Sequence, residues 1–183
     1  MSQIVITLPD WIGELAPPVD QSLDGRMRYV LALAERNVAE GTGGPFGAAV
    51  FSEEGLVAPG VNLVVPSNVA IAHAEATAVA LAGQRTGSFD LRGMALVTSS
   101  EPCVMCFGVT WWSGVTQLVC GARDADVRQI GFDEGPKRAD WAEALAAKGV
   151  EVVRDVLRTR AVTALRTYAA GGGLIYNGGK PDA

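Results

Sequence analysis

The sequence predicts an α/β fold of three layers, α/β/α, with a central mixed five-stranded sheet. Two observations carry this expectation. Five short apolar, β-branched runs are distributed along the chain, and segments with helical periodicity separate most of them, an alternation that places helices on both faces of a mixed sheet. The composition, 49% hydrophobic and 19% charged over 183 residues, is ample for one packed core. No internal repeat or long linker divides the chain. A single domain is expected over 1–183, with an irregular start at 1–23 and a tail at 171–183.

In chain order, Met27, Val30, Leu31, Leu33, Ala34 and Val38 recur at helical spacing and predict a helix over 24–40, ended by the glycine cluster at 41–44. The runs 47–51 and 56–61 flank Ser-Glu-Glu-Gly, the composition of a hairpin turn, and predict two antiparallel strands. An alanine-rich run predicts a helix over 72–82. A strand follows at 94–98, then a helix beginning at Pro102, since the residue before proline avoids helical backbone and proline suits the first helical position. A strand at 117–121, a short helix at 141–148, a strand at 150–153 and a closing helix at 156–170 complete the pattern.

Two segments carry chemistry: His73-Ala74-Glu75 and Pro102-Cys103-Val104-Met105-Cys106. His73, Cys103 and Cys106 offer three ligands to Zn²⁺ and leave the fourth tetrahedral position open for water, where a structural site would close it. Cys103 and Cys106 are three apart on a helix and face the same way, near the positive end of its macrodipole, which lowers their pKa values. His73 is expected in the first turn of its helix. Glu75, two residues on, leaves the His73 face, so it should miss the metal and serve the water as a proton shuttle. The order H-x-E followed by P-C-x-x-C is the signature of zinc deaminases. His73 is the only histidine, which removes a two-histidine metalloprotease set. Taken singly, the pieces have plainer readings, a core histidine and a redox-active C-x-x-C; taken together in this order they point to catalytic zinc.

The net charge of -5 argues against a nucleic-acid partner, which would require clustered Lys and Arg, and favours a free small molecule. Three cysteines, two of them assigned to metal, leave Cys120 alone, so no disulfide framework is available and a reducing, cytoplasmic location is expected. Cys120 is read as a buried strand residue, the alternative being a fourth ligand that closes the site. No stretch approaches the roughly 20 apolar residues of a membrane span, and no basic segment precedes the short apolar run at the start. No membrane association is expected.

Over about 43–176 the chain resembles the cytidine deaminase superfamily, and within it the bacterial guanine deaminases. The resemblance rests on Gly43-Gly44-Pro45-Phe46-Gly47, on Asn62 eleven residues before His73, on the two zinc motifs, and on Gly131-Phe132-Asp133-Glu134. It implies a cytidine deaminase-like form of the fold, zinc on His73, Cys103 and Cys106, and Glu75 as the proton shuttle. It also implies a substrate-binding set of Asn62 on the purine edge, Phe46 and Trp112 beside the ring, and Ala74, with Glu134 contacting the base and sharing in catalysis. Finally, it implies a homodimer in which the C-terminal segment crosses over and lays an aromatic, here Tyr176, on the partner's site. Packing of Tyr176 on its parent subunit is the equal alternative.

Guanine suits this set physically, because its reactive carbon bears an amine beside a ring N–H from which a carboxylate such as Glu134 can accept. Plainer readings stand beside these: Asn62 as a strand terminator, Glu134 as a solvated loop acid, and either Trp111 or Trp112 in the core, since the two cannot face the same way. The glycine-rich turn at 43–47 lacks the G-K-[ST] of a triphosphate site. The expected function is hydrolytic deamination of guanine to xanthine and ammonia. The rivals are deamination of another aminated ring (an amino-triazine such as ammeline, cytosine or adenine), a catalytically inactive zinc or ligand-binding module, and a redox cysteine pair.

Overall fold

Strands that are apolar at every position need cover on both faces. The computed structural model, which describes residue 2 and residues 4–177, supplies that cover. Its strands are β1 (Gly47–Phe51), β2 (Leu56–Val61), β3 (Ala95–Ser100), β4 (Gln117–Ala122) and β5 (Glu151–Val153). Its helices are α1 (Leu23–Ala39), α2 (Val64–Ser67), α3 (Ala74–Thr86), α4 (Val104–Ser113), α5 (Asp124–Gln129), α6 (Trp141–Ala147) and α7 (Arg158–Ala170), with a 3-10 helix at Asp10–Glu14. The sheet order is β2-β1-β3-β4-β5. β1 pairs antiparallel with β2 and β3, while β3–β4 and β4–β5 are parallel, so the sheet is mixed and five-stranded, as the sequence predicts.

Successive strand residues alternate between the faces. Ala49, Phe51, Val97 and Val119 pack with Met27, Val30 and Leu33 of α1 and with Ala161 and Leu165 of α7. Ala48, Val50, Leu96, Leu118 and Cys120 pack with Ala74, Ala78 and Ala82 of α3 and with Trp141 and Leu145 of α6. Gly60 permits a close contact between helix and sheet: a Cβ there would lie 2.4 Å from the Ala74 carbonyl oxygen and 2.5 Å from the Ala78 nitrogen. The backbone of α3 thus lies directly on β2, which fixes where its N-terminus points. Among the described residues, no helix is long and apolar enough to cross a membrane.

The expected strands 47–51 and 56–61 coincide with β1 and β2. The start is more ordered than expected: the 3-10 helix buries Trp11 and Ile12, and Trp11 Nε1 donates to Thr42 Oγ1 at 3.1 Å. This helix, α2 and α5 are each too short to show periodicity. Two boundary corrections bear on the site. α4 begins at Val104, not Pro102, and α3 begins at Ala74, which leaves Cys103 (φ -66°, ψ 175°) and His73 (φ -70°, ψ 157°) as extended N-cap residues. The cause at α4 is capping. Cys103 Sγ accepts from the Cys106 N–H at 3.5 Å, and the Val104 N–H donates to the Glu134 carbonyl at 3.0 Å. Residues 178–183 of the expected tail lie outside the described residues.

Candidate active site

The N-termini of α3 and α4 converge near the C-terminal end of β3 and bring His73, Cys103 and Cys106 together. Their candidate ligand atoms all lie within 4.8 Å of one another. Cys103 Sγ and His73 Nδ1 are 3.6 Å apart. A tetrahedral zinc with Zn–S of about 2.3 Å and Zn–N of about 2.0–2.1 Å has an S···N edge of about 3.5 Å, so the donor spacing fits that ion. The protonation chemistry agrees. The hydrogen bond shared with Cys106, together with His73, draws the Cys103 thiol down to about 4, whereas the same bond and burial push Cys106 well up. A divalent cation takes the place of thiol protons when it binds such a pair. Cys120 is fully buried within β4, its thiol pushed up to about 12 by burial, and stands outside this ligand group.

Beside the three ligands is a cavity of about 640 Å³ onto which Phe46, Asn62, Glu75, Phe132, Glu134 and Tyr176 open. Glu75 is the second residue of α3 and is buried, which raises its pKa, with the charge on Cys103 adding to the effect. Glu134 is 7% exposed, so it is no solvated loop acid. Burial first, then the nearby charges of Cys103 and Glu75, raise its pKa to about 8. Two carboxyl groups that hold protons more tightly than usual thus face one cavity, a common arrangement in catalytic sites.

Asn62 follows β2 directly and also lines the cavity. Its Oδ1 accepts from the Val64 N–H at 3.3 Å. Its carbonyl accepts from Asn37 Nδ2 at 2.9 Å, and the same amide group donates to the Gly44 carbonyl at 2.9 Å. Gly43 makes the approach possible, since a Cβ there would lie 2.0 Å from the Asn62 carbonyl oxygen. The sequence reading missed Asn37. Its signal was a polar residue on the buried α1 stripe of Val30, Leu33 and Ala34.

Phe132 joins the aromatic wall, packing edge-on against Phe46 with centroids 5.1 Å apart and against Tyr176 at 5.3 Å. Within the single chain, the Tyr176 ring packs on Phe132 and lines the cavity beside Asn62. Two expectations need correction. Trp112 is 80% exposed and borders a separate apolar cleft with Val79 and Phe89, not the cavity. Six residues beyond the buried Cys106 is about 240° around an α-helix, which turns that side chain outward. Trp111 takes the inner position, against Phe107. Ala74 is absent from the cavity wall because its methyl packs onto the sheet with Ala48 and Ala58.

Residues 21–122 match the family model of the cytidine and deoxycytidylate deaminase zinc-binding region. The chain belongs to this deaminase family. Zinc is accordingly its cofactor, and the match includes all three ligand candidates. Among deaminases, the guanine deaminase of Bacillus subtilis (strain 168) is 37% identical over 108 residues, covering 59% of this chain and 69% of that protein. The guanine deaminase from Nitrosomonas europaea superposes with a TM-score of 0.87 at 44% identity, covering 92% of this chain and 97% of the other. NE0047 in complex with 2,6-diaminopurine superposes with a TM-score of 0.88 at 45% identity, covering 96% and 97%. The mixed sheet and its helices are therefore those of a cytidine deaminase-like fold.

Proposed function

We propose that this deaminase hydrolyses a free purine base, converting guanine and water to xanthine and ammonia. The observation that carries the reading is that buried Glu134 and Asn62 share one cavity with Glu75 and the three metal ligands. The likeness to two guanine deaminases, one of them also seen with a purine that carries the same 2-amino group, supports it.

His73, Cys103 and Cys106 would hold the zinc, which would supply Lewis acidity for activating water near neutral pH. Glu75 takes the proton of the attacking water and delivers it to the departing amine as the ring carbon exchanges its C–N bond for C–O. Burial suits Glu75 to this, because a raised pKa brings a carboxyl closer to the working pH. Glu134 accepts from the ring N–H next to the reactive carbon and orients the base. The Asn62 carboxamide has both a donor and an acceptor for the purine edge. Phe46 and Phe132 bound the ring, and Tyr176 closes the cavity. Ala74 lies outside the cavity wall, and Trp112 has no part within a single chain.

The test is ammonia release from guanine, guanosine, adenine, cytosine, cytidine and an amino-triazine by protein of verified zinc content. Guanine is expected to react fastest. Preference for another ring would overturn the roles given to Asn62 and Glu134, and no turnover by zinc-loaded protein would overturn the enzyme reading.

We further read the chain as one domain that acts as a cytoplasmic homodimer. The three unpaired cysteines support a reducing compartment. Phe89, 91% exposed, and Trp112 flank the apolar cleft between α3 and α4, which supports a second copy as its cover. Sedimentation at micromolar concentration is expected to give twice the chain mass; a monomer would remove this part of the reading.

A further inference from the structure

Asn177 places both ends of its carboxamide on a single loop. Its Oδ1 accepts from the Asp133 N–H at 2.7 Å, and its Nδ2 donates to the Gly131 carbonyl at 3.0 Å. The two bonds bracket Phe132 and stop one residue short of Glu134. Gly131 has φ +104°, backbone that side-chain-bearing residues rarely adopt, so the loop turns away from any regular pairing and needs outside partners for its polar groups.

The far side of the loop is held separately. The Glu134 carbonyl accepts from the Val104 N–H, the first helical residue after Cys103. Arg128 donates to the Gly135 carbonyl at 2.8 Å, and Asp133 Oδ1 accepts from the Gly135 N–H at 2.9 Å. Glu134 therefore hangs between an anchor on the metal-ligand helix and an anchor on the C-terminal segment. The second anchor directly follows Tyr176, whose ring packs on Phe132.

We propose that Asn177 is a positioning residue for deamination: its carboxamide holds 131–134 in the shape that aims the Glu134 carboxylate into the cavity. Docking of the C-terminal segment and placement of Glu134 are then one event. The inference rests on the role of Glu134 proposed above.

The experiment is a double-mutant cycle of Asn177→Ala with Glu134→Gln, read by kinetics on guanine and by amide exchange at Asp133 in the substrate-free protein. Asn177→Ala is expected to speed exchange at Asp133 and keep the zinc content. It should lower kcat/KM about 10- to 100-fold, the cost of a misplaced contact of roughly 1 Å. In the Glu134→Gln background it should cost little more, because the group it positions is gone. Asn177→Asp retains an acceptor for the Asp133 N–H and should give an intermediate loss, which keeps the test usable if the alanine variant folds poorly. Unchanged exchange at Asp133, or an equal kinetic loss in both backgrounds, would overturn the proposal. Should the wild type turn over another ring in place of guanine, the substrate reading falls, and the same cycle on that ring still decides the role of Asn177.

Discussion

Glu75 and Glu134 are both carboxyl groups pushed toward the protonated form by burial, yet they differ in what they face. Glu75 lies beside the metal ligands and, in the proposed reaction, moves the proton. Glu75→Gln should keep zinc and thermal stability while kcat falls about 10²- to 10⁴-fold, the usual worth of a general acid–base group; zinc analysis beside steady-state rates checks it, and retained turnover would remove the mechanism. Glu134 has a stability signature as well. Its folded pKa of about 8 lies above the ordinary 4.5, so the folded state binds more protons than the unfolded state between those values. Stability must then fall as pH rises through that interval. In metal-free protein, Glu134→Gln should raise Tm relative to wild type by a margin that grows from about pH 5 to about pH 8 and then levels off. A margin independent of pH would mean that Glu134 ionises normally. The sequence marked Glu134 through a four-residue motif, but its burial depends on α4 and the C-terminal segment closing over it.

The two helix starts, not the helices themselves, carry the chemistry. His73 and Cys103 hold N-cap positions, and α3 is set against β2 by the missing side chain of Gly60. Gly60→Ala should push α3 outward and carry His73 with it, costing about 1–3 kcal/mol, as overpacking does, and reducing bound zinc. Urea denaturation with metal analysis reads both effects; full zinc occupancy would show that α3 can shift without moving its first residue. At this scale the strands were legible, because β1 and β2 are bounded by a turn and a glycine-rich loop. The start of α4 was not, because the partner of the Val104 N–H is a carbonyl thirty residues away in sequence, at Glu134. The same blindness applies to α5, whose first N–H, that of Asp124, meets Glu101 Oε2 on a distant segment.

For the molecule as a whole, the cofactor and the fold support each other. Glu101, buried at the end of β3, pairs with Arg154 beyond β5 and accepts from the Asp124 N–H of α5, so the segment that leads into Pro102 is tied to the distant edge of the sheet. Metal binding adds a further tie between α3 and α4. Saturation a thousandfold above Kd stabilises by about 4 kcal/mol, and at about 2–4 °C per kcal/mol for a chain of this size chelation should lower Tm by on the order of 10 °C. Calorimetry before and after chelation, with recovery on adding zinc back, tests this. An unchanged Tm would show that the two helix starts are held without metal.

The sequence by itself determined the alternation of strands and helices, the three metal ligands and the neighbouring Glu75. Those features show in short stretches of sequence: a period of two or of 3.6 residues reflects backbone geometry, and the two metal motifs are each a few residues long. Only the tertiary structure decided which residues share the cavity. It turned Trp112 outward and Ala74 into the core, placed Tyr176 beside Phe132, and brought Asn37 and Asn177 behind Asn62 and Glu134. These outcomes depend on the rotation of each helix against the sheet and on contacts between segments far apart in the chain, which no local pattern encodes.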